Sequence, residues 1–288
     1  MVEWLNILVQ GAMLGGLYAL FAVGLSLSFG IMRLVNIAHG DLIVLSAYFA
    51  LMAVNASNLP ALTTLVVIVP VMFGLGYVLQ RFLLNLTLSG GLLPPLLVTF
   101  GISVITENAL LQAFGPDIQR LHAGAIETAS VSFGPLAVGV YPMLVFATAV
   151  LALAALQVVF YRTALGRAFR ATSDDADTAE MMGVDNRHLY AVAMAIAMIF
   201  TALAGVLMAI RTTFDPASGP TRLIFAFEAV IIGGLGSLWG TLLGGMVLGI
   251  AQAVGAALSP TWQILAGHLA FLLILMVRPS GFFPRTRD

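Results

Sequence analysis

Runs of close to 20 apolar residues, separated by short polar stretches, recur along the chain from Trp4 to Arg278. Coiled as helix, a run of that length matches the roughly 30 Å hydrocarbon core of a bilayer. None shows the two-residue alternation of a barrel strand. The pattern predicts membrane-spanning helices at about 5–30, 41–58, 61–80, 92–114, 139–161, 189–211, 237–258 and 261–278. The run LIFAFEAVIIGGL (223–235) is shorter, carries Glu228 and ends among Gly233, Gly234 and Gly236. It reads as a tilted short helix or a re-entrant segment buried in protein. The expected fold is therefore an all-α integral membrane protein, a polytopic bundle of about eight transmembrane helices plus this short segment. Neither a linker nor a clear internal repeat divides it, so residues 1–288 form a single domain, and no symmetric pair of broken helices is legible. The first run follows Glu3 with no positive residue before it and exceeds the ~7–15 apolar residues of a signal peptide, so it is expected to stay as the first span.

Composition narrows the function. With 60% hydrophobic residues and 9% charged, the chain lacks the roughly 25% charge that covers a soluble domain. There is no cysteine, which removes disulfides, thiol nucleophiles and cysteine-ligated metals. A net charge of -1 without a basic patch argues against nucleic acid. All 12 basic residues are arginine. Without a lysine the chain cannot build a Walker A site or form a Schiff base, so any ATP used is hydrolysed by another chain.

The charge is unevenly placed. Arg162, Arg167, Arg170, Arg187, Asp174, Asp175, Asp177, Glu180 and Asp185 crowd a loop at about 162–188. With that loop inside the cell, Arg33 and Arg81 join it, while Arg120, Arg211 and Arg222 fall outside. If 223–235 contributes a crossing, Arg278, Arg285 and Arg287 bring the inside count to nine against three; without it the count is even. The positive-inside bias thus favours a crossing there and an external N-terminus. A second polar loop, about 115–138, is then external. Within the inner loop, Ser173 is expected to cap a helix of about ten residues whose first turn holds Asp174, Asp175 and Asp177, with Gly183 as its stop. Ala176, Ala179 and Gly183 give that helix a small-residue face, suited to docking on a protein, whereas a solvated hairpin needs no such face.

Glycines at four-residue spacing, Gly11 with Gly15 and Gly236 with Gly240 and Gly244, predict close helix packing. Polar residues within spans are functional candidates because burying them is costly. Glu107, Asn108 and Gln112 can share a helix face; Glu228 can pair with Arg222; Asn36, His39 and Asp41 lie in RLVNIAHGD at the end of the first span, where a hydrogen-bonded turn is the plainer reading. One histidine and one carboxylate do not make a metal site.

The stretches GGLYALFAVGLSLSFGIMRLVNIAHGDLIVLSAY (15–48), TFGISVITENALLQAFG (99–115), GRAFRATSDDADTAEMMGVD (166–185), IIGGLGSLWGTLLGG (231–245) and VRPSGFFP (277–284) together resemble the permease subunits of the branched-chain amino acid ABC importer family. The resemblance implies an ABC importer permease fold in a bacterial-type cytoplasmic membrane. It also implies an ATPase-coupling helix in 166–188 that draws on Arg167, Arg170, Asp174, Asp177, Thr178, Ala179 and Gly183. Here Asp177 and Thr178 stand where the generic importer loop has Glu and Ala, and the usual apolar-Pro ending is missing. The implied partners are a second related permease, two cytoplasmic ATPases that hold ATP and magnesium, and an external binding protein; no cofactor is expected in this chain itself. Asn36, His39, Glu107, Asn108 and Glu228 are the candidates for the translocation path. The implied function is uptake of branched-chain or related amino acids, with no enzymatic activity in the chain. Urea or short-amide import is the alternative within the family, and an ion-coupled secondary transporter using Glu107 or Glu228 is the alternative outside it.

Overall fold

A computed structural model describes residues 2–91, 93–134 and 136–283. Leu92, Pro135, Pro284, Arg285 and Arg287, which enter the spans, loops, motif and charge count above, lie outside the described residues. Eleven helices are formed among them: α1 Val2–Met32, α2 His39–Ser57, α3 Leu65–Phe82, α4 Leu93–Phe114, α5 Val140–Arg162, α6 Ala164–Asp174, α7 Ala176–Met181, α8 Asn186–Arg211, α9 Gly219–Gly233, α10 Leu238–Leu258 and α11 Trp262–Val277. Seven of them are long and apolar enough to span a bilayer, with α11 a shorter apolar helix. The loop 115–138 departs from an all-α description: strands β1 Ser130–Phe133 and β2 Leu136–Gly139 pair there as a small antiparallel hairpin.

Two helices make the centre. Every residue of α1 from Gly15 to Ser28 is buried, as is most of α8 from Ala191 to Ile210, so both are apolar around the whole circumference. They run antiparallel: Ser28 reaches Met194 at 4.0 Å, and Gly24 faces Ala197 one turn further along. On its other side α1 packs against α10. A Cβ on Gly11 would lie 2.7 Å from Ile250 Cα and one on Gly15 2.6 Å from Met246 N. Gly240 and Gly244 instead face α9 at Gly233 and Ala229. Gly236 is not part of that helical face: it precedes α10 at φ 79°, in the tight turn 234–237.

The short segment is a partial crossing. At about 1.5 Å per residue, the 15 residues of α9 reach some 22 Å. The remaining depth is covered by Thr212–Ser218, an extended stretch that descends from the end of α8 and closes with the 3-10 turn Pro216–Ser218 capped by Asp215. Residues 33–38 do the same after α1: the chain turns back at Arg33 (φ 52°) and α2 begins with His39 beside Phe21 and Gly24. Gly24 lies eight residues, about 12 Å, inside the end of α1. The structure thus holds a pair of helices that start at mid-depth and run in opposite directions. The sequence shows no such pair because each break reads as an ordinary polar turn between spans, 33–38 after the first and 212–218 after the sixth.

The two ends of the bundle differ. At one end Arg81 meets Asp185 at 3.7 Å, Asn85 donates to the Arg187 carbonyl at 2.9 Å, and α6 and α7 cover the tips of α5 and α8. At the other lie the N-terminus and the β hairpin, joined by a bond from Ala137 N to Asn6 Oδ1 at 3.3 Å. Since α9 completes a crossing, the segment after α11 returns to the arginine-rich end, where Phe282 N donates to the Ile232 carbonyl at 2.9 Å.

Candidate functional site

The helices α2 and α9 meet N-terminus to N-terminus at mid-depth. Gly40 and Gly219 are in backbone contact: a Cβ on Gly40 would lie 2.9 Å from both Gly219 C and Leu223 N, and one on Gly219 2.6 Å from Asp41 Cγ. Only glycine permits that approach. The positive ends of two helix dipoles therefore converge on one point, and Asp41, 2% exposed, places its carboxylate there. Ser103 Oγ donates to Asp41 Oδ2 at 2.5 Å, while Oδ1 is buried without a hydrogen-bond partner among the described residues. Ser103 belongs to a stripe on α4, Thr99, Ser103 and Glu107, whose four-residue spacing keeps it on one face. Thr99 Oγ1 accepts from Ile37 N at 3.3 Å, which ties α4 to the first break.

The break is also held from within. Asn36 Oδ1 accepts from Ala38 N at 3.1 Å, and His39 Nε2 bonds the Phe21 carbonyl at 2.7 Å, so Nε2 carries the proton. Both side chains are spent on the turn. Of the other path candidates, Glu107 is half-buried one turn above Ser103, whereas Asn108 and Gln112 are exposed. Asn108 bonds the Val104 carbonyl of its own helix at 2.8 Å. The three do not act as one cluster, because α4 has only the narrow Thr99–Ser103–Glu107 face turned inward.

Glu228 does not pair with Arg222. Six residues on, a helical side chain points about 120° away, and Glu228 instead bonds His268 of α11. Phe225 lies between this pair and a second one, Tyr18 donating to Gln252, with ring centroids 5.1 Å from Tyr18 and 6.2 Å from His268. Arg222 reaches the Thr213 carbonyl at 3.4 Å.

At the arginine-rich end the charged loop forms two helices, not one. Helix α6 runs through Ser173 and Asp174, so Ser173 caps nothing. Asp175 is the cap: its Oδ1 accepts from Asp177 N and Thr178 N, each at 3.1 Å, and Thr178 Oγ1 donates to Oδ2 at 2.7 Å. These bonds hold the Asp175 carboxyl below its usual pKa, the Thr178 hydroxyl being the largest cause. Helix α7 is six residues long and ends at Met181, with Gly183 turning the chain just beyond it at a φ of 91° that favours glycine. The shortening follows from Asp175 at φ -151°, which breaks the run that the sequence suggests. Asp185 caps α8 through His188 N at 3.0 Å, which likewise lowers its pKa.

This unit has an outer and an inner face. Ala179 is buried; Met181 and Met182 are 86% and 82% exposed. Asn186 joins the parts, donating to the Ala176 carbonyl at 2.7 Å and accepting from Thr172 at 3.0 Å. Arg167 is exposed, but Arg170 turns inward to the Phe160 carbonyl, its guanidinium 5.3 Å from the Tyr161 ring. Gly40, Asp41, Thr99, Ser103, Gly219 and Asp175 are the residues that the sequence reading left out of the site; Asp41 enters that reading only as part of the turn after the first span. The four-residue stripe on α4 is the one signal that points to two of them.

A family described as branched-chain amino acid transport system / permease component matches residues 7–278. The high-affinity branched-chain amino acid transport system permease protein BraD of Pseudomonas aeruginosa is 28% identical, over 98% of this chain and 96% of its own length. The permease protein LivH of Escherichia coli, named for the same kind of system, is 26% identical over the same shares. The probable branched-chain amino acid transport permease protein LivM of Methanocaldococcus jannaschii is 34% identical over 51% of this chain and 48% of its own. No solved structure matches the chain.

Proposed function

The chain belongs to the branched-chain amino acid transport permease family, and on that premise we propose that it is the transmembrane subunit of an ATP-driven importer for branched-chain or related amino acids. It is a multi-pass membrane permease and not an enzyme. The observation that carries the proposal is the family match over residues 7–278 in a chain that gathers nine charges between 162 and 187, around a short, capped helix. One of two ATPases would dock on α7, with Met181 and Met182 as the apolar contact and the missing lysine explained by hydrolysis elsewhere. A second permease is supported by the two names, LivH and LivM, among the relatives. An external binding protein would deliver the substrate at the hairpin end.

Motion at α7 has a physical route inward. Asn186 couples α7 and α6 to α8, and Arg170 couples α6 to α5. Helix α8 in turn flanks α2, where Ser46 donates to the Thr201 carbonyl at 3.1 Å. Closure of the ATPases would therefore tilt α8 against the point where α2 and α9 meet, opening the bundle alternately to either side. Selectivity would rest on the binding protein, with a path kept weakly binding by its apolar walls.

The paired helix N-termini at mid-depth favour a second reading, since ion-coupled transporters place substrate at such points. Gly183→Arg separates the two. The importer reading expects the variant to reach the membrane but lose ATPase co-purification and uptake of labelled leucine. Normal uptake in this variant, or leucine accumulation by the purified chain alone on a proton or sodium gradient, overturns it.

A further inference from the structure

A cavity of about 470 Å³ opens at the arginine-rich end between α1, α5, α6 and the start of α10. Its polar wall is made by Ser26, Gln157, Arg170 and Ser237, and its apolar wall includes Trp239 and Phe283. Among the described residues, no acidic side chain lines it. The Ser26 hydroxyl, in a residue 1% exposed, is buried with no hydrogen-bond partner among the described residues. The N-terminus of α10, capped by Ser237, adds its positive end. Arg170 meets no carboxylate within ion-pair distance among the described residues, and spends one nitrogen on the Phe160 carbonyl. Cation, hydroxyl, amide and helix end all offer protons to one anion.

From this we propose that the cavity binds the phosphate of an anionic phospholipid from the leaflet at the arginine-rich end. The phosphate faces Arg170 and Ser26, and the acyl chain leaves past Trp239 and Phe283. Three observations favour a lipid over a free anion. The cavity has an open mouth lined by large apolar rings. Trp239, 42% exposed, sits where tryptophan marks a membrane interface. Arg33, Arg81, Arg162, Arg167 and Arg187 give that end the basic character that draws anionic leaflets. Because Arg170 also holds α6 to α5, an occupied site stiffens the base from which α7 projects.

The three tryptophans make the site measurable. Trp4 and Trp262 begin α1 and α11 at the hairpin end, so a Trp4→Phe/Trp262→Phe background leaves Trp239 as the reporter. The full chain is reconstituted in phosphatidylcholine vesicles with rising fractions of brominated phosphatidylglycerol or brominated phosphatidylcholine, and quenching of Trp239 is followed. Saturable quenching by the anionic lipid is expected at fractions where the zwitterionic lipid has little effect. Arg170→Gln should raise the half-saturating fraction about fivefold, which is the ~1 kcal/mol of one interfacial arginine converted at 1.4 kcal/mol per tenfold. Arg167→Gln, three residues away but exposed and outside the cavity, should raise it less than Arg170→Gln does. Ser26→Ala serves as the variant that keeps the fold: removing an unpartnered buried hydroxyl should raise thermal stability in pure phosphatidylcholine while weakening the anionic lipid. Equal quenching by both lipids, equal effects of Arg167→Gln and Arg170→Gln, or unchanged lipid affinity in Ser26→Ala would overturn the site. Displacement by millimolar inorganic phosphate would overturn the lipid as its occupant.

Discussion

Replacing Gly40 by alanine tests whether the meeting of α2 and α9 is as tight as the backbone indicates. The new Cβ would lie 2.9 Å from Gly219 C and from Leu223 N, with the Gly219 carbonyl oxygen closer still. The Gly219 oxygen, which lies deepest inside the 3.4 Å where ordinary contact begins, sets the demand, so the helices must part by about 1.4 Å. A gap of ~0.5–1 Å already forfeits a quarter to a half of the dispersion energy along the facing surface, and this one forfeits more. All three atoms are main chain, so no rotamer change relieves the clash, and the cost belongs at the upper end of the overpacking range, about 3 kcal/mol. Gly101, on α4, has nothing within 4 Å of its Cβ position. There alanine should gain up to ~1 kcal/mol of helix propensity. The two variants are therefore expected to differ by about 3–4 kcal/mol in unfolding of the purified chain from mixed micelles by rising sodium dodecyl sulfate, read by circular dichroism. Gly40→Ala should also lose transport, because Asp41 shifts with its helix. If both variants unfold within ~0.5 kcal/mol of each other, the spread of surface substitutions, the helices are not in contact and the argument fails.

Further consequences concern the charged groups. The Asp175 cap is a carboxylate whose folded pKa is depressed by Thr178 and Asp177. Its contribution is thus full above the ordinary value of 3.8 and lost as pH falls through the lower folded value. Hydrogen exchange of the Asp177 and Thr178 amides, corrected for intrinsic rates, should hold steady from neutral pH to about 4 and rise below it; Asp175→Asn, which caps without titrating, should be flat. For Glu228 and His268, a double-mutant cycle with Glu228→Gln and His268→Ala should return a coupling of about 1–3 kcal/mol, and a value near zero would show that the pair does not hold α11 to α9.

Much of the fold can be read from particular runs of sequence. The apolar run that ends at Phe29 is long enough only for a membrane helix, and lipid leaves the backbone no alternative to internal hydrogen bonding. Gly11 and Gly15 predict a close helix contact because few other residues let backbones touch. Their partners, Met246 and Ile250 on α10, are not predictable from spacing, since any small-residue face could receive them. The inner loop shows the limit at short range. Its acids and Gly183 announce a capped helix, but whether Ser173 or Asp175 caps it depends on how far α6 continues from α5. Arg170 and Phe169 settle that by packing back on Phe160, the two rings 5.4 Å apart.

The sequence by itself determined what the solvent dictates: the apolar runs long enough for membrane helices, the end that carries the arginines, and the absence of the lysine a Walker A site needs. These follow from transfer free energies and charge, which act residue by residue. Only the tertiary structure decided that Asp41 meets Ser103 and Gly219, that Glu228 pairs with His268 and not Arg222, and that Arg170 lines a cavity. The Asp41 and Glu228 contacts join residues between 40 and 178 positions apart, and the Arg170 cavity gathers residues from Ser26 to Phe283; such contacts depend on how separate helices pack, which no local pattern encodes.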